Sequence, residues 1–376
     1  MPDTTVFLEQ ALTQAAKSLL LTSPNPRVGC IITSPDGKVL GQGHTQRAGG
    51  PHAEIMALCD AAEQGHSVVG ATAYVTLEPC AHHGRTGPCC DALIAAGIKK
   101  LVATHTDPNP LVAGQGFARM RASGIEVVVL PPDDPLAREA RELNIGFFSR
   151  MVRQRPWVRM KVAASLDGQT ALQNGASQWI TSPAARADGH AWRARACAVL
   201  TGIGTVQADN PRLDVRLVTT PRQPHGVIVD SRLETPPDAS LFIAIRACYI
   251  YTAVPNDVKK SLLKARGATV IHMPGQTAAT QDKVDLKAML LDLAKREVNE
   301  LHLEAGHKLN GSFIREGLVD EFLVYLAPKL LGVGQGMASF GPLTTLSDAV
   351  DLSFHSVAQI GPDLRVLARP LGRDGF

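Results

Sequence analysis

The tightest constraint on this chain is a pair of segments, His52-Ala53-Glu54 and Pro79-Cys80, the second followed after eight residues by Cys89. One imidazole and two thiols are three donors for a tetrahedral zinc ion, leaving the fourth position to water as in catalytic rather than structural sites. Any fold that uses them must bring three chain segments to one point. Ala53 to Ala62 reads as a helix, with Ile55, Leu58, Cys59 and Ala62 on one apolar face. The breaker-rich approach Gly41-Gln42-Gly43-His44 and Gly49-Gly50-Pro51 sets His52 and Glu54 at its first turn. Ala71 to Leu77 reads as a strand that delivers Glu78-Pro79-Cys80 at its carboxyl end, and a second helix, Cys89 to Ala96, begins on the other thiol.

Glu54 lies two residues beyond the histidine, beside the metal without ligating it. Zinc nucleobase deaminases use such a glutamate to carry protons between water, ring nitrogen and leaving amine. A lone His-x-Glu means little, and a lone cysteine pair is often core packing. Two helix starts facing one another across the three donors favour a catalytic zinc, because a helix N-terminus stabilises anions. The cysteine gap is longer than the Cys-x-x-Cys of deaminases in general. Its loop, Ala81-His82-His83-Gly84-Arg85-Thr86-Gly87-Pro88, has the N–H groups, hydroxyl and guanidinium to hold a substrate phosphate, and fits a solvated turn equally well. Cys90 competes with Cys89 as ligand. Cys89 is preferred because it follows Pro88 as Cys80 follows Pro79.

At 376 residues the chain is too long for one ordinary core, so two domains are expected. With 38 basic against 35 acidic side chains, the net charge of +3 argues against a nucleic-acid groove or a polybasic membrane anchor. The seven cysteines are irregularly spaced, which indicates a reducing compartment. Met1-Pro2-Asp3-Thr4-Thr5 has no basic or apolar leader character, and no stretch is long enough to span a bilayer. These features together predict a soluble, cytoplasmic protein with no nucleic-acid or membrane partner.

Residues 1–147 alternate helices and strands in the order of a three-layer α/β/α sandwich. The strands are expected at Gly29 to Thr33, Val39 to Gln42, Ala71 to Leu77, Leu101 to Thr104 and Ile125 to Leu130, with outer helices at Phe7 to Leu20 and Asp133 to Asn144. Residues 148–156, containing the polar Ser149-Arg150-Met151-Val152-Arg153-Gln154-Arg155, read as a solvated linker. Residues 157–376 form a second α/β domain with a mostly parallel sheet, its strands traceable from Trp157 to Glu304 and its helices including Ser182 to Arg195 and Asp285 to Arg296. Three glycine-rich turns there suit a phosphorylated dinucleotide: Thr201-Gly202-Ile203-Gly204-Thr205, Glu304-Ala305-Gly306-His307-Lys308-Leu309-Asn310-Gly311 and Gly332-Val333-Gly334-Gln335-Gly336. None matches a G-x-G-x-x-G or Walker pattern, so on their own they decide nothing.

The segments Asn25-Pro26-Arg27-Val28-Gly29, His52-Ala53-Glu54 and Pro79 through Cys89, with Ala164-Ser165-Leu166-Asp167-Gly168, Ser177-Gln178-Trp179-Ile180-Thr181 and Glu304-Ala305-Gly306, closely resemble the bifunctional riboflavin-biosynthesis deaminase-reductases, in order and over nearly the whole chain. The resemblance implies a cytidine-deaminase-like first domain and a dihydrofolate-reductase-like second domain. It implies zinc-dependent hydrolysis of the amino group of a diaminopyrimidinone ribosyl-phosphate, then NADPH-dependent reduction of the ribosyl group to ribityl. His52, Cys80 and Cys89 would hold Zn2+ and Glu54 would move the protons, with Asn25, His44 and the His82 to Pro88 loop contacting substrate. NADPH positions map onto Ala163, Trp179, Thr205, Asp209, Ser231 and the turn Gly306, His307, Lys308, Leu309, Asn310, Gly311 and Ser312. Reductase substrate positions map onto Ser177, Arg193, Leu213, Arg216 and Glu304. Without the resemblance, Arg193 reads as a solvated helix face and Trp179 as a core aromatic. His307-Lys308 stands where a small or proline-containing pair would leave the cofactor more room, and since the turn length is kept, binding is expected to survive.

Family likeness and an exposed sheet edge make a homo-oligomer plausible. Two rival readings remain at this level: a nucleoside or RNA-base deaminase with a non-catalytic second domain, and a binding module whose structural zinc is closed by Cys90 or His82.

Overall fold

The computed structural model describes residues 4–81, 87–110 and 112–376. The chain divides into two compact units, Met1–Arg153 and Gln154–Phe376.

The first unit runs α1 (Thr4–Lys17), β1 (Gly29–Thr33), β2 (Val39–His44), α2 (Ala53–Glu63), β3 (Thr72–Val75), α3 (Cys89–Ala95), β4 (Lys100–Ala103), α4 (Gln115–Ala122), β5 (Glu126–Val129), α5 (Pro135–Leu143) and α6 (Ile145–Arg153). Its described strands form one sheet in the order β2-β1-β3-β4-β5. β1 is antiparallel to β2 and β3, and β3, β4 and β5 are parallel. Strand alternation sends side chains to two cores. Ile31, Tyr74 and Val102 pack on Phe7, Leu8 and Ala11 of α1, while Cys30, Ile32, Ala73, Val75 and Leu101 pack on Ala53, Ala57, Leu93, Phe117 and Met120 of α2, α3 and α4. This is the expected α/β/α sandwich.

Two local readings change. Gly41 and Gly43 belong to strand β2 rather than to a broken approach. A Cβ on Gly43 would lie 2.4 Å from the Ala53 carbonyl oxygen, so glycine is what lets α2 lie directly on the strand. The expected linker is helical as far as Arg153, in α6. Phe147 and Phe148 hold that helix on the core, and two of the basic residues that suggest solvation, Arg150 and Arg153, occupy its last turn.

The second unit runs β6 (Trp157–Ser165), β7 (Gln169–Leu172), α7 (Pro183–Arg195), β8 (Ala198–Gly202), α8 (Ile203–Asp209), β9 (His225–Val229), β10 (Cys248–Thr252), α9 (Asp257–Ala265), β11 (Ala268–His272), α10 (Leu286–Lys295), β12 (Glu300–Leu303), α11 (His307–Arg315), β13 (Glu321–Ala327), β14 (Gly334–Gly336), a 3-10 turn at Leu346–Asp348, β15 (Leu352–Ile360) and β16 (Asp363–Pro370). The large sheet has the order β11-β10-β9-β8-β12-β6-β13-β16-β15. It is parallel from β11 through β13, and β16 and β15 add antiparallel strands at one edge. One face packs on α10 and α11 through Met160, Leu200, Leu290, Leu303 and Phe313. Gly332–Gly336, expected as a phosphate-binding turn, instead contains β14, paired with β7. A Cβ on Gly334 would lie 2.3 Å from the Ala171 carbonyl oxygen, so that glycine serves strand approach. Among the described residues no helix is long and apolar enough to cross a membrane.

Candidate active sites

In the first unit His52 is the N-cap of α2, Cys89 is the first residue of α3 after Pro88, and Cys80 sits in the loop that leaves the β3 end of the sheet. Their ligand atoms all lie within 4.8 Å of one another. His52 Nδ1 is 3.3 Å from Cys89 Sγ and 3.6 Å from Cys80 Sγ, and the Cys89 N–H donates to Cys80 Sγ at 3.4 Å. Cys80 is pulled down to about 4 because the Cys89 thiol, and with it His52, donates to its sulfur. That same bond and burial hold the Cys89 thiol up. Two sulfurs and an imidazole converging in a half-buried pocket are a donor set that fits zinc. Cys90 is turned away: its thiol donates to Asp91 Oδ1 at 3.6 Å and packs in the core.

Glu54, in the first turn of α2, is 3% exposed, and burial pushes its carboxyl up to about 7 despite the opposing pull of His52. A carboxyl balanced near neutrality both takes and gives a proton. His44 ends β2, half-buried, with burial lowering its imidazole. Asn25 closes a turn before β1, its N–H donating to the Thr22 carbonyl oxygen at 2.9 Å. His82 to Thr86, most of the expected phosphate loop, lie outside the described residues. The sequence marks Glu78 only as the residue ahead of Pro79-Cys80. In the fold it is a buried carboxylate that accepts from the backbone N–H groups of Asp107, Gly114, Gly116 and Phe117.

In the second unit, the carboxyl ends of β6, β12 and β8 are adjacent, where ligands of parallel sheets collect. Helices α8 and α11 start directly after β8 and β12, on Gly202 and Gly306, with no side-chain cap, so their first N–H groups are open to phosphate oxygens. A Cβ on Gly306 would meet only Thr205 Oγ1, at 3.9 Å. This open cradle fits a dinucleotide phosphate. Trp179 is 61% exposed with the Arg186 guanidinium over its ring at 4.4 Å, so it is not a core aromatic. Ala163 lies in β6 opposite Tyr325, Asp209 is exposed at the end of α8, and the Ser231 hydroxyl accepts from the Val284 N–H at 3.2 Å.

The glycine-rich segment after Glu304 opens a helix, with Gly306 as N-cap and His307 to Ser312 within α11. Asn310 donates to the Met337 carbonyl oxygen at 3.0 Å, and a Cβ on Gly311 would lie 1.8 Å from the Ser339 carbonyl oxygen, so both are committed to packing. Leu309 packs on Gly202, and the Ser312 hydroxyl donates back to the Lys308 carbonyl oxygen at 3.3 Å. Gly306, His307 and Lys308 remain at the helix start.

Beside this cradle Arg193 donates to both oxygens of Glu304, at 2.8 and 2.9 Å, and to the Asp214 carbonyl oxygen at 2.6 Å. It is therefore a half-buried, paired residue rather than a solvated helix face. Lys161 Nζ lies 4.0 Å and His302 Nε2 3.2 Å from the Glu304 carboxylate. Burial alone would raise Glu304, but Arg193, Lys161 and His302 outweigh it and hold it well below the usual range. Arg216 and Arg212 bracket the Asp214 carboxylate at 2.7 and 2.9 Å while remaining half-exposed or more. Buried Leu213 has φ +51° and its carbonyl accepts from Arg246 at 2.7 Å. Ser177 is half-buried between β7 and α7. Sequence reasoning missed Lys161 and His302, since a lone charge or imidazole inside a strand carries no motif.

The chain matches the family model for the cytidine and deoxycytidylate deaminase zinc-binding region over residues 1–105, and that for the RibD C-terminal domain over residues 156–366. It is 40% identical over 380 residues to the riboflavin biosynthesis protein RibD of Escherichia coli (strain K12), covering 95% of this chain and 97% of that protein. Among solved structures it is similar to Acinetobacter baumannii RibD, at TM-score 0.86 and 38% identity with 98% of each chain covered. It is also similar to a diaminohydroxyphosphoribosylaminopyrimidine deaminase/5-amino-6-(5-phosphoribosylamino)uracil reductase from Thermotoga maritima, at TM-score 0.83 and 31% identity with 98% of each chain covered.

Proposed function

This chain belongs to the RibD family of riboflavin biosynthesis proteins, and from that premise we propose how its residues divide two consecutive reactions on one pyrimidine ribosyl-phosphate. The family is bifunctional, with a cytidine-deaminase-like zinc unit followed by a dihydrofolate-reductase-like unit that uses NADPH. Zinc, when bound, acidifies water so that it attacks at neutral pH, and NADPH, when bound, supplies a hydride.

The first substrate is the diaminopyrimidinone ribosyl-phosphate. His52, Cys80 and Cys89 hold the metal. Glu54 takes a proton from the attacking water and hands it to the ring nitrogen, then carries the proton of the new hydroxyl to the amine, so that the carbon–nitrogen bond breaks, ammonia leaves and a carbonyl remains. Asn25 contacts the pyrimidine, and His44 contacts the substrate. The observation that carries this reading is the convergence of the three donors within 4.8 Å, with the buried carboxyl of Glu54 two residues from His52.

The product, 5-amino-6-(5-phosphoribosylamino)uracil, is reduced in the second unit to its ribityl form. Gly306, His307, Lys308 and Thr205 receive cofactor phosphates at the start of α11, while Ala163, Trp179, Asp209 and Ser231 line its path. Glu304, held ionised and oriented by Arg193, takes substrate hydroxyls, with Ser177 and Leu213 beside it. Arg216 keeps enough exposure to reach the substrate phosphate, and a guanidinium grips two oxygens at once. The boundary between the two activities falls at 148–156.

The irregular spacing of the seven cysteines supports a cytoplasmic setting. The edge strand β15 exposes Phe354 and Val357, which supports a homo-oligomer, because sheet edges of this kind are normally covered. Near-balanced charge speaks against an RNA-base deaminase. The reading is tested by offering the zinc-loaded chain the diaminopyrimidinone ribosyl-phosphate and cytidine in parallel. Ammonia is expected from the former alone.

A further inference from the structure

The two thiol arms of the zinc site reach it from different places. Cys80 follows the end of β3, and Cys89 opens α3. Both arms meet α4, an element that carries none of the three ligands. Its N-cap is Gly114, at φ +77°, which has no side chain to satisfy the first N–H groups of the helix. Glu78 does so from across the fold. One carboxylate oxygen accepts from Gly116 and Phe117 at 2.9 and 3.2 Å, and the other accepts from Gly114 and Asp107 at 2.8 and 3.1 Å. A carboxylate over a helix N-terminus gains from both the hydrogen bonds and the helix dipole.

The fit to the ligand arm is equally close. A Cβ on Gly116 would lie 2.1 Å from the Pro79 carbonyl oxygen, so α4 begins in direct backbone contact with the residue before Cys80. One turn further on, Arg119 donates to both oxygens of Asp91 at 2.9 Å, and Asp91 lies in the first turn of α3, two residues after Cys89. Helix α4 thus touches both arms.

We infer that Glu78 is a positioning residue of the metal centre, fixing the Cys80 arm against the Cys89 arm by capping α4. The inference rests on the zinc reading of His52, Cys80 and Cys89. Groups that orient ligands without binding the metal typically change metal affinity 10- to 100-fold when removed. Glutamine keeps the volume of Glu78 but turns an NH2 toward two of the N–H donors.

The test uses the full-length, zinc-loaded chain mixed with excess chromophoric chelator, and reads the rate of zinc transfer for wild type, Glu78→Gln, Gly116→Ala and Phe7→Ala. Phe7 packs on Tyr74 in the other core of the sheet, so its truncation loosens the unit without touching α4. Glu78→Gln and Gly116→Ala are expected to release zinc about 10- to 100-fold faster than wild type and clearly faster than Phe7→Ala, with NADPH oxidation on the deaminated substrate unchanged. Release at the wild-type rate, or no faster than in Phe7→Ala, overturns the inference and leaves the zinc assignment standing. A wild-type chain that takes up no zinc overturns that assignment itself. If Glu78→Gln does not fold, Gly116→Ala decides between the same outcomes.

Discussion

Arg193 holds Glu304 with one edge of its guanidinium, Nε to Oε1 at 2.8 Å and Nη2 to Oε2 at 2.9 Å, while its remaining nitrogen ties the pair to the Asp214 backbone. Lysine cannot reproduce this fork. Arg193→Lys is therefore expected to lower reductase kcat/KM by about tenfold or more, since one lost charge-assisted bond of about 1.5–3 kcal/mol already amounts to that. Ammonia release by the same protein should be unchanged, and the two steady-state assays side by side check this.

Acid sensitivity of the reductase unit follows from the same carboxylate. The folded-state value of Glu304 is depressed, so its contribution to stability is complete above the ordinary glutamate value near 4.5 and is lost as pH falls below it toward the folded value. Trp157, Trp179 and Trp192 all lie in this unit, so tryptophan fluorescence reports its unfolding selectively. Urea midpoints should fall below about pH 4.5, and Glu304→Gln should flatten that fall while starting from a lower midpoint at pH 7.

Glu54→Gln preserves shape but can no longer cycle a proton. Ammonia release is expected to drop about 10²- to 10⁴-fold with zinc content retained. NADPH oxidation should persist when the deaminated product is supplied directly. Full ammonia release by this variant would remove Glu54 from the reaction.

Gly43→Ala tests the seat of the zinc helix. The added Cβ would fall 2.4 Å from the Ala53 carbonyl oxygen and 2.5 Å from the Ala57 nitrogen, both backbone atoms of α2. The helix must move, at about 1–3 kcal/mol for overpacking of this kind. A lower unfolding midpoint for the first unit and weaker zinc retention are expected by calorimetry and chelator competition, with the reductase unaffected.

The two sites differ in how much of each can be read from the chain. The deaminase donors sit on local punctuation: a histidine at a helix start, a glutamate in the same turn, and cysteines after prolines. Periodicity and breakers placed them without tertiary knowledge, and Cys89 rather than Cys90 faces His52. The reductase cluster draws Lys161 from β6, Arg193 from α7, Asp214 from the loop after α8, and His302 and Glu304 from the end of β12, which meet because β6 and β12 are neighbours in the sheet. Family resemblance pointed to Arg193 and Glu304, and nothing in the chain marked Lys161 or His302. Glycines serve different ends. Gly43 and Gly334 serve close backbone approach, whereas Gly306 leaves open space at a helix start. The antiparallel edge β13-β16-β15 went unread because its outer strand is largely exposed and lacks the clean alternation of a half-buried one.

The central claim is that one chain carries out both reactions in succession, and a single coupled assay addresses it. Zinc-loaded protein is given the diaminopyrimidinone ribosyl-phosphate and NADPH, and ammonia and NADPH absorbance are followed together. The account predicts ammonia release first, then NADPH loss approaching one equivalent per ammonia, with both absent in Glu54→Gln. Ammonia without NADPH loss, or NADPH loss that does not depend on Glu54, would contradict it.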